Sequence, residues 1–412
     1  MRPILLVAYH FPPLSGSSGL QRTLRFAQYL PEFGWKPIVL TVSTSAYEQT
    51  DQRSLAQIPP DCEVVRIPCL DAGRHLSLGG RYPTFAALPD RWASWQLCGV
   101  PAGRSLCRKR GVRAIWSTYP IATAHKIGAA LAKTTGLPWI ADFRDPMAQE
   151  GYPGDPRRWR AFKRIEDTAA TQASKLVFVS PSALEMYRQR YPGTPAGHFE
   201  LIENGFDESS FDGLPTSASA TRSGPAVLLH SGIVYPFERN PAALFEALGR
   251  LSLAGRIAQG DFIIRFRASV HDDLLRELAR SHRVEAFVDL EPAIGYREAL
   301  SEMIDADALV VMQGASCNEQ IPAKLYEYLR AGRPILGLAD PRGDTGRTLS
   351  ALGYPFVTPL ESADAIERAL PAFLEALRAG TLPVARPAVV DRYSRRALTG
   401  RFAALLDEVA PG

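Results

Sequence analysis

The chain has 412 residues, of which 46% are hydrophobic and 22% charged, with a formal net charge of +4. Its length exceeds what one hydrophobic core usually serves and predicts two domains with a ligand-binding cleft between them. No run approaches 18 uninterrupted apolar residues, which excludes an integral membrane protein; five cysteines without a CxxC pair and seven scattered histidines argue against structural zinc and a disulfide framework.

Short β-rich apolar runs alternate with helical patterns from end to end, the signature of repeated βαβ units and parallel sheets. In the first half the predicted strands are 3–9, 36–42, 63–68, 114–119, 138–143 and 175–180. The segment after Met1 is too short, and too soon followed by HFPP, for a secretory signal, so a cytoplasmic protein is expected. Between strands, GLQRTLRFAQYLPEFG carries Leu20, Leu24, Ala27 and Leu30 at helical spacing and stops near Gly34; ATAHKIGAALAKTTG stops at Gly136. Two basic runs, 103–113 and 156–166, are read either as a solvated face or as attraction to anionic lipid headgroups or a diphosphate-bearing acceptor. In the second reading Trp159 and Phe162 are interfacial anchors.

An aperiodic Ser/Thr/Gly/Pro-rich stretch, 212–226, marks a linker. It separates a first Rossmann-like domain, 1–211, from a second, 227–389, with predicted strands at 226–232, 262–269, 284–291, 306–313 and 333–339. Residues 390–412 are expected to form a closing helix, packing across both domains.

Four places carry chemistry. The first strand runs into YHFPPLSGSSGLQR, where Gly16 and Gly19 let backbone approach an anion before a helix start; Arg22, one turn on, either reaches into the cleft or is solvated. WIADFRDP ends a strand with Asp142, Arg144 and Asp145, where open parallel sheets place ligands. These residues form either a local Asp–Arg pair or a contact to a sugar hydroxyl or acceptor. In LLHSGIVYPFERNPAALFEAL, Ser231 and Gly232 end a strand, Asn240 and Pro241 start a helix, and Arg239 stands beside that start, where its planar fork suits phosphate. Finally, NEQIPAKLYEYLRAGRP follows a buried strand. Pro322 fits a first helical turn, leaving the N–H groups of Ala323, Lys324 and Leu325 at a helix start, with the Lys324 charge added and Glu319 and Glu327 flanking.

With these motifs in order along nearly the whole chain, the sequence resembles a glycosyltransferase of the GT-B fold, close to glycosyltransferase family 4 of bacterial polysaccharide-assembly type. The resemblance implies an α/β protein of two facing Rossmann-like domains, the first binding acceptor and the second a nucleoside diphosphate sugar, with no metal and no other cofactor. The family's E-x7-E motif falls on Glu319 and Glu327. Arg239 then meets the donor diphosphate, Glu327 holds ribose, Glu319 meets hydroxyls of the transferred sugar, and Ala323 and Lys324 supply phosphate donors. Gly16 belongs to the glycine-rich first loop. Where many members carry an arginine after the second-domain glycine this chain has Ile233, so Lys324 is expected to supply that charge; Arg144 falls near the place of a family histidine. The implied activity is retaining hexosyl transfer to a glycan or lipid-linked acceptor, with peripheral membrane contact and no nucleic-acid partner. A nucleotide-sugar 2-epimerase and a silent sugar-nucleotide-binding scaffold are the alternatives.

Overall fold

Uninterrupted apolar strands need cover on both faces, and helical crossovers between parallel strands provide it. The computed structural model describes residues 1–15, 19–77, 79, 81–215 and 224–411. Its chain forms two units, Met1–Asn204 with Arg395–Gly412, and Gly205–Ser394.

The first unit is built on a seven-stranded sheet: β1 (Arg2–Val7), β2 (Trp35–Val42), β3 (Glu63–Ile67), β4 (Ala114–Thr118), β5 (Trp139–Arg144), β6 (Lys175–Phe178) and β7 (Phe199–Leu201). The strand order is β3-β2-β1-β4-β5-β6-β7, and each described pairing is parallel. Successive residues of β1 serve opposite cores, as strand geometry requires. Leu5 and Val7 face a layer with Ile127 and Leu131, while Ile4 and Leu6 face one with Phe26, Leu398 and Phe402.

The second unit holds six parallel strands: β8 (Ala226–Ser231), β9 (Phe262–Arg267), β10 (Val288–Glu291), β11 (Ala308–Gln313), β12 (Ile335–Ala339) and β13 (Val357–Thr358). Their order is β10-β9-β8-β11-β12-β13. Again alternate residues divide: Val310 and Met312 join one core, Leu309 and Val311 the other. In both sheets the order reverses beside the first strand, between β1 and β4 and between β8 and β11. Such a switch point leaves a crevice beyond the carboxyl ends of the strands.

Several details depart from the sequence reading. The edge strands β7 and β13, three and two residues long, are too short to leave a periodic signal. Residues 284–287 form a tight turn before β10 instead of strand. The chain passes between units at 204/205, ahead of the expected linker at 212–226, of which 216–223 lie outside the described residues. The closing helix, Arg395–Val409, belongs to the first unit. There Phe402 stacks on Phe26 with ring centroids 4.6 Å apart.

The anchor reading of Trp159 and Phe162 is overturned. Phe162 is 1% exposed within the first core, and Trp159 turns its Nε1–H inward to the carbonyl of Gln149 at 2.8 Å. No helix among the described residues is long and apolar enough to cross a membrane.

Phe402 is fully buried, so Phe402→Ala should remove a large ring from a core with little room to relax, costing about 3–5 kcal/mol. Urea denaturation followed by tryptophan fluorescence checks it; an unshifted midpoint refutes the helix's role in this core.

Candidate functional site

The switch point of the second sheet gathers most of the predicted residues. β8 ends at Ser231, and Gly232 follows with φ +111°, in the region only glycine enters easily. A side chain there would meet the Lys324 ammonium: a Cβ built on Gly232 lies 3.0 Å from Lys324 Nζ. Lys324 opens the helix Lys324–Ala331, which Gly332 closes in the left-handed region at φ +67°.

His230, wholly buried on β8, sits beneath this lysine. Its Nδ1 faces the Val310 carbonyl on β11 at 2.9 Å and must donate to it. Nε2 is therefore the acceptor that meets Lys324 Nζ at 3.2 Å. Burial, then the neighbouring lysine charge, push the His230 imidazole well below its ordinary range and keep it neutral.

Arg239 completes the cationic side. Its Nε donates to Gln313 Oε1 at 3.2 Å, and its guanidinium lies over the Tyr235 ring at 5.3 Å. Gln313 is itself fixed by donating to the Cys317 carbonyl at 3.2 Å. Burial, and then repulsion from Arg239, lower the Lys324 ammonium to about 7, with Glu327 opposing them. Two cations are thus held close enough to disfavour one another, an arrangement that an arriving anion relieves.

At the helix start, the backbone N–H groups of Ala323 and Lys324 make no hydrogen bond among the described residues. Leu325 is a correction: its N–H donates to the Pro322 carbonyl at 2.9 Å, because the chain enters the helix through a tight turn that uses this donor up. The Ser231 N–H is likewise spent, on the Tyr328 hydroxyl at 2.7 Å. Glu327 accepts from the Tyr296 hydroxyl at 2.7 Å, and Glu319 is half-buried in the loop before the helix.

The first unit disposes of its predicted residues differently. Asp142 is fully buried, and both carboxylate oxygens are taken by Arg22, at 2.9 and 2.8 Å, with Thr118 donating at 2.7 Å. With the carboxylate wholly buried behind these three donors, a sugar hydroxyl has no way to reach it, so its catalytic reading is withdrawn. The pair forms with Arg22 instead of Arg144. Arg22, 1% exposed, also donates to the carbonyls of Ile202 and Glu203 at 3.0 Å, so it neither reaches into solvent nor waits for a ligand.

Arg144 has φ 58°, and its Nε is buried without a partner. Its nearest polar contacts are the carbonyls of Gly19 and Tyr119, both at 3.5 Å. Burial raises the neighbouring Asp145 carboxyl against the pull of Arg144. Burial, then Arg144, lower the imidazole of His10 to about 4. Gly19 opens the helix Gly19–Tyr29; Gly16 lies outside the described residues.

Sequence reasoning missed His10, His230, Gln313, Tyr235, Tyr296 and Tyr328. His230, next to last on β8, and Gln313, last on β11, lie on the two strands that flank the switch point, a signal available once the strand order is known. The others reach the site through loop and helix geometry that no spacing encodes. No group of three or more His, Cys, Asp or Glu among the described residues is placed to hold a metal.

Residues 19–205 match the family model of the glycosyl transferase 4-like domain. Among solved structures, Anabaena Alr3699/HepE in complex with UDP and glucose is similar at TM-score 0.65 and 15% identity, covering 99% of this chain and 100% of that one. Sucrose-phosphate synthase from Thermosynechococcus elongatus gives TM-score 0.64 and 17% identity over 99% of each chain. A putative UDP-N-acetylglucosamine 2-epimerase from Listeria monocytogenes gives 0.58 and 11%, covering 99% and 96%. These likenesses establish the GT-B architecture of two parallel-sheet α/β domains. A comparison with curated proteins returns no match.

If Asp142 is structural, Asp142→Ala should strand the buried Arg22 charge and cost about 3–5 kcal/mol. The double variant Asp142→Ala/Arg22→Met should recover much of that loss in urea denaturation. A single variant as stable as the parent refutes the pairing.

Proposed function

Since residues 19–205 match the glycosyl transferase 4-like domain model on a chain of GT-B fold, we propose that the protein is a retaining, metal-independent hexosyltransferase. It takes a nucleoside diphosphate sugar as donor and a glycan or lipid-linked glycan as acceptor, in cell-surface polysaccharide synthesis at the inner face of the membrane. The observation that carries this reading is the cationic cluster at the end of β8. Lys324 rests on Gly232, Arg239 is close enough to depress it, and two unused N–H groups open the helix.

The chemistry asked of this cluster is electrostatic. As the glycosidic bond of the donor lengthens, negative charge grows on the departing diphosphate. Arg239, the Lys324 ammonium and the N–H groups of Ala323 and Lys324 stabilise that charge more than they stabilise the ground state, which is what lowers a barrier. The leaving group is already activated, so no carboxyl pair at glycosidase spacing is required. Glu327, held by Tyr296, accepts from the ribose hydroxyls, and Glu319 from hydroxyls of the transferred sugar. Gly232 keeps the strand end open so that phosphate oxygens can approach backbone and ammonium together. On the acceptor side, Arg144 and Asp145 remain the polar pair at the end of β5.

Arg239→Ala and Lys324→Ala should each lower kcat by about 10²–10³-fold, about 2.7–4 kcal/mol of transition-state stabilisation. Transfer assays with folded variants check this, and unchanged turnover in both rules the assignment out. Product analysis without acceptor separates transfer from epimerisation, since an epimerase consumes donor alone.

The Lys324 ammonium at about 7 also sets a pH dependence. Below that pH the free protein holds the proton that the diphosphate needs; above it, binding must first recruit one, so affinity falls as pH rises. Donor affinity by calorimetry should weaken roughly tenfold between pH 6 and 8.5, and Lys324→Arg, always protonated, should flatten the profile. The same slope in the arginine variant assigns the titration elsewhere.

A further inference from the structure

The first sheet ends irregularly beside its own switch point. β5 shifts register against β6 between Asp142 and Arg144. Arg144 then takes φ 58°, and the Asp145 N–H donates back to the Phe143 carbonyl at 2.6 Å. A three-residue turn about a non-glycine residue with positive φ is rare and strained, and irregular strand ends of this kind recur where a side chain is re-aimed for function.

The turn sets two opposite charges side by side and leaves both unanswered. Arg144 and Asp145 are each partly exposed. They form no ion pair with one another, and among the described residues the Asp145 carboxylate meets no donor. Arg144 reaches only the carbonyls of Gly19 and Tyr119, both at 3.5 Å. The chain that follows is fixed, so it cannot fold back to supply a partner. Met147 N–H donates to the Tyr187 hydroxyl at 3.0 Å, and Ala148 N–H to the wholly buried Glu166 at 2.8 Å. Gln149 and Tyr152 exchange backbone hydrogen bonds at 2.8 and 3.2 Å, and Trp159 holds the Gln149 carbonyl. This loop presents Tyr152, 49% exposed. Tyr119 joins the parts: its carbonyl faces Arg144, and its hydroxyl lies beside that of Tyr152 and in the field of the Asp145 carboxyl.

We propose that Arg144, Asp145 and Tyr152 form a site for one neutral pyranose residue. This deepens, and rests on, the reading that the first unit takes the acceptor. One hydroxyl of the sugar donates to Asp145, since a carboxylate only accepts. The oxygen next to it accepts from Arg144, since a guanidinium only donates, and the apolar face of the sugar ring lies on Tyr152. An anion would answer Arg144 and meet the Asp145 charge; a hydrocarbon would leave both charges unpaired. Adjacent hydroxyls and an apolar face are what a sugar ring presents together.

Saturation-transfer NMR on the full chain, with the methyl glycosides of glucose, galactose and mannose as probes, should show saturable binding of at least one in the millimolar range. Tetrahydropyran-2-methanol, which keeps the ring and lacks adjacent hydroxyls, should not bind, and inorganic phosphate should not compete. Asp145→Ala should lower affinity about tenfold or more, the loss of one hydrogen bond to a charged group. Its thermal midpoint should stay at or above the parent's, because the carboxylate has no native partner to lose. Tyr152→Ala should weaken binding, and Tyr152→Phe, which keeps the ring, should not. Calorimetry with UDP on the same samples reads the second unit alone. If UDP binds and no glycoside does, this site is refuted while the donor reading survives; glycoside binding without UDP binding does the reverse. Competition by phosphate, equal binding of tetrahydropyran-2-methanol, a lowered midpoint in Asp145→Ala, or parent-like affinity in Asp145→Ala or Tyr152→Ala also overturns the proposal.

Discussion

Two positive charges held close together at the end of one strand are the constraint on which the second unit turns. Lys324 cannot move away from Arg239 because Gly232 supplies its seat and His230 Nε2 its hydrogen-bond acceptor. Arg239 cannot swing off freely because Gln313, 2% exposed, accepts from it. The strain is visible in the Lys324 ammonium, lowered to about 7. A site of this kind pays for cation burial in the free protein and recovers it when an anion arrives, so any attraction for an anion is prepared before one is bound.

The scaffold explains why this occurs here and not elsewhere on the sheet. β8 and β11 flank the point where the strand order reverses, and near their ends His230 lies against Lys324 while Gln313 accepts from Arg239. The Tyr328 hydroxyl accepts the Ser231 N–H from the helix that begins with Lys324. One short helix therefore supplies the charge at its first residue, the carboxylate of Glu327 at its fourth, and a tether to β8 at its fifth. Its polar end is held to the strand by hydrogen bonds, while Leu325, Tyr328 and Leu329 are buried in the adjoining core.

Much of this was legible in the sequence. Eleven predominantly apolar runs of the right length lie where strands form, the central ones buried on both faces, and glycines at 34, 136 and 332 mark helix ends because each needs a left-handed backbone. Arg239, Gly232 and Lys324 could be singled out because a glycine at a strand end and a cation at a helix start have few other uses. What the sequence withheld depends on long-range partners. Arg22 and Asp142 are 120 positions apart, and nothing local distinguishes an arginine that neutralises a buried aspartate from one that waits for phosphate. Leu325 was misjudged for a smaller reason: the tight turn at Pro322 spends one more N–H than an ideal helix start would.

The first sheet reverses its order in the same way, yet its crevice is built to a different electrostatic plan. At the end of β5 the strongest anion, Asp142, is cancelled by Arg22 inside the core, where the pair fixes the helix Gly19–Tyr29 to the sheet. What remains beyond it is Arg144, lowered by burial, Asp145, raised by burial, and His10, held neutral at physiological pH. Each of these has been moved toward its uncharged form, whereas the unused N–H groups of the second unit present a fixed partial positive charge. A carboxyl raised in this way binds a proton more readily than a surface aspartate and suits a neutral hydroxyl better than a phosphate. The two switch points thus differ in kind: one gathers cations and unused N–H groups, the other a set of ionisable groups each shifted by burial toward its neutral form.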